Sequence, residues 1–292
     1  MDPYTGGSWE VPCLQIALDA SVCSRPTLEE TLAAIAAHGV AAVQFNLGCV
    51  PGHEPLPTAL APGVCEAVRR ACAQCGVSLA AVSGTYNMID PDHARRREGE
   101  RRLRGLIAAC PQMGVGIVTL CTGTRDPHSM WSPHPGNGTP AAWRDLLAAL
   151  ADVLPEAEAH GVTLAVEPEV SNVVDSAARA RHLLDELASP QLKVCIDGAN
   201  LFHAGELPRM AEILDEAFAL LGNDIVLAHA KDLDHDGEAG HLPAGHGRLD
   251  YDRYLSLLAA TGFRGAIVLH GLAEDQIDGC AAFLRSFGTG ER

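Results

Sequence analysis

The sequence of 292 residues lacks the motifs of the common nucleotide-binding folds. No G-x-G-x-x-G follows its first apolar run, and no G-x-x-x-x-G-K occurs anywhere. Dinucleotide-binding and P-loop folds therefore have no support. Positive charge is also scarce, because 21 Lys and Arg residues stand against 37 Asp and Glu residues, a net charge of -16. Such a balance repels phosphate backbones, so we expect no nucleic-acid partner.

Long apolar runs and a secretory leader are missing as well. No apolar stretch reaches the roughly 20 residues needed to span a bilayer, and residues 1–10 have neither a basic region nor an apolar core. We therefore expect no membrane partner and a cytoplasmic protein. The 10 cysteines are scattered, mostly in apolar stretches, which favours reduced thiols over disulfides in that compartment.

Short β-branched runs alternate with longer amphipathic stretches along the whole chain, a pattern that predicts βα units on a parallel sheet. Eight runs are apolar enough to be strands buried on both faces: Cys13–Leu18, Ala41–Asn46, Val77–Ser83, Val115–Cys121, Val162–Glu167, Leu192–Asp197, Asp224–Ala230 and Ala266–His270. Because no linker interrupts them, we predict an α/β fold, a (β/α)₈ TIM barrel that forms a single domain over residues 1–292. Residues 1–10 are expected to be a flexible N-terminal segment.

Cap signals place helices between the strands. Thr27 and Glu30 form a capping-box pattern, and Gly39 stands where that first helix should end. Asp250 and Gly262 bracket the seventh helix in the same way. The third helix has one apolar face and, opposite it, a basic run that we interpret as a solvated surface: Arg95, Arg96, Arg97, Arg101, Arg102 and Arg104.

Metal-capable side chains stand at the ends of four consecutive predicted strands. Strands five to eight end at Glu167, Asp197, His229 and His270, and the active site of a barrel lies at the C-terminal ends of its strands. A carboxylate buried in a barrel mouth is costly unless it is paired or bound to metal. Two carboxylates and two imidazoles suit one divalent cation, so we predict these four residues as metal ligands.

The loops beyond the strand ends carry groups suited to a hydroxyl-rich ligand. The indole face of Trp131 can cover a sugar ring, although an anchoring role in its loop explains it equally well. Lys231 is one of only two lysines; an oxyanion-stabilising or catalytic role and a salt bridge to Asp232 are both open. The candidate substrate-binding residues are Thr85, Asn87, Arg125, His128, Trp131, Glu169 and His203.

Four segments of the second half carry a family resemblance: Glu167-Pro168-Glu169, the ten residues from Asp197 to Glu206, His229-Ala230-Lys231-Asp232, and Gly245-His246-Gly247. With nearly the whole chain, they resemble the xylose isomerase-like sugar (phosphate) isomerase/epimerase superfamily. That resemblance implies a divalent metal held by Glu, Asp, His and Glu from strands five to eight. Glu167, Asp197 and His229 match the first three positions, whereas His270 replaces the fourth glutamate. Asn200 stands where many relatives have a histidine.

The resemblance implies a sugar isomerase or epimerase that abstracts a proton α to a carbonyl through an enediolate. Mn²⁺ is the expected metal, with Zn²⁺, Co²⁺ and Mg²⁺ as alternatives. Glu167, or the neighbouring Glu169, would take the proton, and His270 or Lys231 would return it. A small carbohydrate-like substrate and a homo-oligomer paired through outer helices are further expectations.

Two alternatives remain open. If a β-substituent leaves before reprotonation, the same first step makes the protein a lyase or dehydratase acting on a keto-sugar or inosose-like substrate. The loss of the second glutamate favours this chemistry. The other alternative is a barrel that binds a metal or ligand without turnover.

Overall fold

The computed structural model describes residues 15–289, so the predicted flexible segment 1–10 and the beginning of the first predicted strand lie outside the described residues. The strands are β1 Gln15–Asp19, β2 Ala42–Phe45, β3 Ser78–Ser83, β4 Ile117–Cys121, β5 Thr163–Glu167, β6 Leu192–Asp197, β7 Ile225–Asp232, β8 Leu242–Pro243 and β9 Ala266–Leu269. All except β8 are parallel neighbours in chain order, and β9 pairs with β1 to close the sheet. The predicted eight-stranded TIM barrel is confirmed.

Strand β7 is longer than predicted. It continues to Asp232 because Lys231 and Asp232 pair antiparallel with the two residues of β8, Leu242 and Pro243, beyond the barrel itself. This short pairing fixes the two ends of the intervening loop next to the barrel mouth.

Eight helices surround the barrel in the described part of the chain: α1 Leu28–Ala37, α2 Val64–Cys75, α3 His93–Met113, α4 Pro140–His160, α5 Ala177–Leu187, α6 Met210–Leu221, α7 Tyr251–Ala260 and α8 Ile277–Thr289. The capping box of α1 is present, since Thr27 Oγ1 accepts from the Glu30 backbone and the Glu30 carboxylate accepts from the Thr27 backbone. Asp250 caps α7 by accepting from the backbone N–H of Arg253. The local cap signals therefore set these boundaries.

The apolar core has two parts. A large cluster lies between the strands and the helices, and includes Leu32, Phe45, Leu103 and Leu146. A small separate cluster draws mostly small side chains from the strands, among them Ala17, Ala42, Ala81, Ala165 and Cys195. Because these side chains fill the barrel interior, the polar residues that end the strands remain at its mouth.

The predicted basic surface of α3 is wrong in one position. Arg96 is 7% exposed, and its Nη1 lies 2.7 Å from Asp145 Oδ2 on α4. A buried guanidinium needs such a carboxylate partner, so Arg96 joins two helices instead of facing solvent. The exposed members of the run are Arg95, Arg97, Arg101 and Arg104.

Two further features concern the described residues as a whole. Among residues 15–289, no helix combines the length and the apolar character that crossing a membrane requires. The nine cysteines of this part of the chain are free thiols, including the closely spaced Cys72 and Cys75.

Candidate active site

A cavity of about 500 Å³ opens at the carboxyl ends of the barrel strands. Its described lining comes from these strand ends and from the loops directly after them. The polar and charged lining residues are Asp19, Gln44, Asn46, Ser83, Thr85, Thr119, Glu167, Glu169, Asn200, His229, Lys231 and His270. The position is the one where TIM-barrel enzymes carry out their chemistry.

Three of the four predicted metal ligands converge beside this cavity. Glu167, Asp197 and His229 each offer one ligand atom, and these atoms lie within 4.8 Å of one another. Glu167 ends β5, Asp197 ends β6, and His229 lies within β7, directly opposite Asp197 in the register of β6 and β7. The parallel register therefore brings together residues that are far apart in the chain. His270 does not belong to this group.

The environment of Asp197 fits a divalent cation. Its side chain is 0% exposed, and Oδ1 accepts from the backbone N–H of Ala199 at 3.0 Å. Oδ2 has no hydrogen-bond partner among the described residues, with Lys231 Nζ 3.3 Å away as its ion-pair partner. The ion pair with Lys231 offsets part of the cost of burying this carboxylate, and Oδ2 is left as an available ligand atom. Two carboxylates and an imidazole are a donor set that binds Mn²⁺, Zn²⁺ or Co²⁺.

His229 is oriented from behind by Gln44. The ring Nε2 lies 2.8 Å from Gln44 Oε1, and because a carbonyl oxygen accepts only, Nε2 carries a proton. The other ring nitrogen, Nδ1, faces Glu167 Oε1 at 3.2 Å. Metal-binding histidines commonly use one nitrogen as ligand and donate from the other to an oxygen. Gln44 thus leaves Nδ1 of His229 as the nitrogen that faces Glu167.

Asn200 orients the glutamate of the triad. Its Nδ2 donates to Glu167 Oε1 at 2.7 Å, while its Oδ1 accepts from the backbone N–H of Gly240 at 2.8 Å. Asn200 is 1% exposed. The amide therefore connects the carboxylate of Glu167 with the loop that follows β7.

Two neighbouring carboxyl groups have opposite acidities. Burial acts to raise the pKa of Glu167, but the charge and hydrogen bond of His229 and the charge of Lys231 lower it to about 2. Burial and the nearby Glu167 raise the pKa of Glu169. Glu167 is thus the more strongly acidic of the two, because it faces the cationic side of the site.

Lys231 lies inside the site as an ammonium group. Burial acts to lower its pKa, and the carboxylates of Asp197 and Glu167 raise it overall. The sequence suggested Asp232 as its salt-bridge partner, but in the structure Lys231 pairs with Asp197. Asp232 accepts instead from the backbone N–H groups of Gly245 and Leu249.

His270 lies beside the triad. Its ring stacks on His229, with centroids 5.3 Å apart and an interplanar angle of 7°. Nδ1 is buried without a hydrogen-bond partner among the described residues, and Nε2 is 3.8 Å from Asp19 Oδ2. Burial lowers the pKa of His270, and the charges of His229 and Lys231 lower it further. These effects favour the uncharged form of the ring, which lines the cavity wall.

Three of the predicted substrate-binding residues line the cavity: Thr85, Trp131 and Glu169. Trp131 is 58% exposed at the mouth. Glu169 is 5% exposed, and its carboxylate accepts from the backbone N–H of Ser171 and from Asn172 Nδ2.

The other four predicted substrate-binding residues are not among those that line the cavity: Asn87, Arg125, His128 and His203. The Asn87 side chain bonds both backbone groups of Thr124. Arg125 pairs with Asp145 and donates to the carbonyl of Ile89. These side chains hold the loop after β4.

Sequence reasoning missed several lining residues. Asp19 ends β1, so the same strand-end rule that found Glu167 could have found it. Gln44 is a polar residue within an otherwise apolar strand, which is a signal of a buried polar contact. Asn46 follows the end of the same strand.

A family model described as a xylose isomerase-like TIM barrel matches residues 32–287. The chain belongs to this family. Its first strand and the described C-terminal residues beyond 287 extend past the matched region. A search of curated protein sequences gave no match.

Solved structures with the family fold include three sugar epimerases. The 3-keto-D-glucoside 4-epimerase of E. coli shares 17% identity at a TM-score of 0.71, with 94% of this chain and 99% of that chain covered. An L-ribulose 3-epimerase shares 18% identity at a TM-score of 0.72, with 95% of each chain covered. The D-allulose 3-epimerase of Methylomonas sp. shares 14% identity at a TM-score of 0.70, with 94% of this chain and 98% of that chain covered. At such identities the likeness establishes the fold.

Proposed function

We propose that this protein is a divalent-metal-dependent sugar isomerase or epimerase that abstracts a proton α to a carbonyl. The observation that carries the proposal is the triad of Glu167, Asp197 and His229 at a cavity of about 500 Å³, with Asp197 Oδ2 buried and without a hydrogen bond. Family membership supports it. So do the activities of the epimerases with the same fold, which act on a keto-glucoside, a ribulose and an allulose.

Glu167, Asp197 and His229 are the residues that would hold the metal, for which Mn²⁺ is our first choice and Zn²⁺, Co²⁺ and Mg²⁺ are alternatives. A divalent cation there supplies positive charge that stabilises the enediolate of the substrate. Gln44 and Asn200 keep two of these ligands in place through the hydrogen bonds described above.

Glu167 is proposed as the base that removes the α-proton, with Glu169 as the alternative. The low pKa of Glu167 keeps its carboxylate ionised, and only the ionised form accepts a proton. Glu169 also lines the cavity, and its raised pKa makes it the stronger base of the two. Both carboxylates lie on the β5 side of the cavity.

His270 is proposed as the group that returns the proton, and Lys231 as the cation that stabilises the negative oxygen. The His270 ring lines the cavity and lies outside the group of three converging ligand atoms. Metal content decides between this role and that of fourth ligand. If His270→Ala retains the metal that Asp197→Ala loses, the imidazole is free for proton transfer.

The cavity wall favours a neutral, polyhydroxylated substrate. Among the described lining residues, Lys231 is the only Lys or Arg, and it already pairs with Asp197. Hydroxyl and amide side chains such as Thr85 and Asn46 offer partners for sugar hydroxyls, and Trp131 offers an apolar face at the mouth. We therefore expect an unphosphorylated ketose or keto-sugar.

A lyase or dehydratase is the second candidate. The observation that favours it is the imidazole of His270 on the cavity wall, where relatives of this family are expected to have a metal-binding glutamate. An imidazole acid suits the protonation of a leaving β-hydroxyl as well as that of a carbon. The two reactions differ in product, since elimination loses water.

The test uses the full chain loaded with Mn²⁺ and incubated in D₂O with a panel of ketoses, keto-sugars and inososes. An isomerase or epimerase should incorporate solvent deuterium at the α-carbon, whereas a lyase should give a product lighter by one water. Asp197→Ala should abolish both reactions, and Glu216→Gln, an exposed carboxylate on α6, should change neither. Absence of exchange and of dehydration across the panel would sink the enzyme proposal.

A further inference from the structure

A second group of metal-capable side chains lies outside the central site, on the loop between β7 and β8. We call Asp234, His235, Glu238 and His241 the loop cluster. One ligand atom from each of Asp234, His235 and His241 lies within 4.8 Å of the other two. The two imidazole rings are 4.3 Å apart between centroids. The cluster contains two imidazoles as well as carboxylates, the donor set of transition-metal sites rather than of a solvated acidic patch.

All four ring nitrogens of the loop cluster face the same two carboxylate oxygens. His235 Nδ1 is 2.5 Å from Asp234 Oδ1, and its Nε2 is 3.0 Å from Glu238 Oε1. His241 Nε2 is 2.9 Å from Asp234 Oδ1, and its Nδ1 is 3.6 Å from Glu238 Oε1. A neutral imidazole has one N–H and one lone pair, so one nitrogen of each ring opposes an oxygen that also only accepts. Protonation of the rings removes this mismatch, and so does one divalent cation held by His235 Nδ1, His241 Nε2 and Asp234 Oδ1.

The spacing suits a four-coordinate ion. Zn²⁺ binds imidazole nitrogen and carboxylate oxygen at about 2.0–2.2 Å, which places tetrahedral ligand atoms about 3.3 Å apart. Asp234 Oδ1 lies 2.5 Å from His235 Nδ1 and 2.9 Å from His241 Nε2, and one ligand atom from each of these three residues lies within 4.8 Å of the other two. A small adjustment of exposed side chains therefore completes the site, and the His241 side chain is already 27% exposed.

The backbone of the loop holds the cluster together. Gly237 has a positive φ of +94° and its N–H donates to the carbonyl of Phe202. Asp236 Oδ2 accepts from the backbone N–H of Leu207 at 2.7 Å. The chain thus turns at Gly237, so that Asp234 and His235 before the turn meet Glu238 and His241 after it.

The loop also contacts the central site. Ala239 lines the catalytic cavity, and the backbone N–H of Gly240 donates to Asn200 Oδ1, the amide that in turn donates to Glu167. His241 follows Gly240 directly. An ion bound to the loop cluster would therefore restrain the segment that orients Asn200.

We propose that Asp234, His235 and His241, with Glu238 beside them, form a peripheral Zn²⁺-type site that fastens the β7–β8 loop against Asn200. Other first-row transition cations with the same ligand preference, such as Co²⁺ and Ni²⁺, share this chemistry. The site is separate from the central triad, and it stands on its own whether or not the proposed reaction is correct.

The experiment measures bound Zn²⁺ by plasma mass spectrometry after equilibrium dialysis of the full chain. The parent should hold two equivalents, and the double variant His235→Ala/His241→Ala should hold one. His246→Ala, an exposed histidine of the next loop, is the matched control and should hold two. Asp197→Ala should hold one equivalent of Zn²⁺, because this substitution removes a ligand of the central site only. A double variant that binds as much Zn²⁺ as the parent overturns the proposal.

Limited proteolysis of Asp197→Ala tests the fastening role without any measurement of activity. With Zn²⁺ at about ten times its dissociation constant, opening of the loop over residues 233–242 should fall about tenfold, since binding to the closed form lowers the open population in that ratio. Adding His235→Ala/His241→Ala should abolish this protection. Equal cleavage rates with and without Zn²⁺ in Asp197→Ala would overturn the fastening role.

Discussion

At the scale of single residues, the candidate site depends on polar side chains that fix other polar side chains. Gln44 binds Nε2 of His229 and so leaves Nδ1 facing Glu167, and Asn200 donates a hydrogen bond to the carboxylate of Glu167. Neither amide belongs to the triad itself. Groups that orient a ligand in this way commonly contribute about 10–100-fold to metal affinity.

Gln44→Leu should therefore weaken metal binding about 10–100-fold while the barrel stays folded, because His229 loses the acceptor that fixes its ring. Competition with a chromogenic chelator measures the change. Trp131→Ala is the control, since that side chain is exposed at the mouth and its loss should leave metal affinity unchanged. Equal affinities in parent and Gln44→Leu would contradict the orienting role.

Lys231→Met should lower turnover about 10²–10³-fold, the usual cost of removing one group that stabilises a developing oxyanion. Metal should be retained, since the ammonium competes with it for Asp197 Oδ2. Lys193→Met is the matched control. Lys193 lies at the end of β6 away from Asp197, and its side chain pairs with Asp224. Steady-state kinetics and metal content distinguish the two lysines, and loss of metal in Lys231→Met would contradict this assignment.

At the scale of elements, a carboxylate on α4 joins three parts of the molecule. Asp145 accepts from Arg96 on α3 and from Arg125 in the loop after β4. Burial acts to raise the pKa of Asp145, but its bonds to Arg125 and Arg96 lower it overall. These two ion pairs of Asp145 keep the loop that carries Trp131 at the mouth of the cavity.

Asp145→Asn should lower the free energy of unfolding by about 2 kcal/mol at pH 7, because buried Arg96 loses its counter-charge. The loss is smaller than for a fully buried pair because the carboxylate of Asp145 is partly exposed. A depressed carboxyl pKa contributes stability above the unfolded value of 3.8, and that contribution is lost as pH falls through the folded pKa. Urea unfolding of the parent and of Asp145→Asn from pH 7 to pH 3 should show that their free energies of unfolding become more similar below about pH 4. If the difference between the two free energies of unfolding stayed constant over this pH range, the stabilising role of the Asp145 ion pairs would be contradicted.

At the scale of the whole molecule, a metal bound at the proposed site would stabilise the folded state without creating the fold. The large apolar core between strands and helices excludes the triad, which lies at the mouth. Removal of metal with a chelator should therefore lower the melting temperature but leave the helix and strand content unchanged. Metal at about 100 times its dissociation constant contributes about 2.7 kcal/mol.

Thermal unfolding followed by circular dichroism measures this prediction. Parent protein should melt several degrees lower after chelation, and Asp197→Ala should show a smaller shift. Loss of secondary structure at 25 °C after chelation would instead make the metal a folding element, and would contradict the separation of core and site.

The fold and the triad were predictable because both follow from local signals. The eight strands are recognisable as short apolar runs, and their ends point to Glu167, Asp197, His229 and His270, of which the first three converge in the structure. Loop residues were less predictable. Asn87 and Arg125 looked suited to a ligand, yet their side chains bind neighbouring backbone and Asp145.

The sequence by itself determined the barrel and the height at which its polar residues stand, because strand alternation, helix caps and strand ends are properties of neighbouring residues. Only the tertiary structure decided which polar groups meet. Gln44 and His229 are 185 positions apart, and Asn200 reaches Glu167 from the turn that follows β6. Such contacts depend on register, on loop paths and on the need of each buried donor for an acceptor, all of which arise when the chain closes.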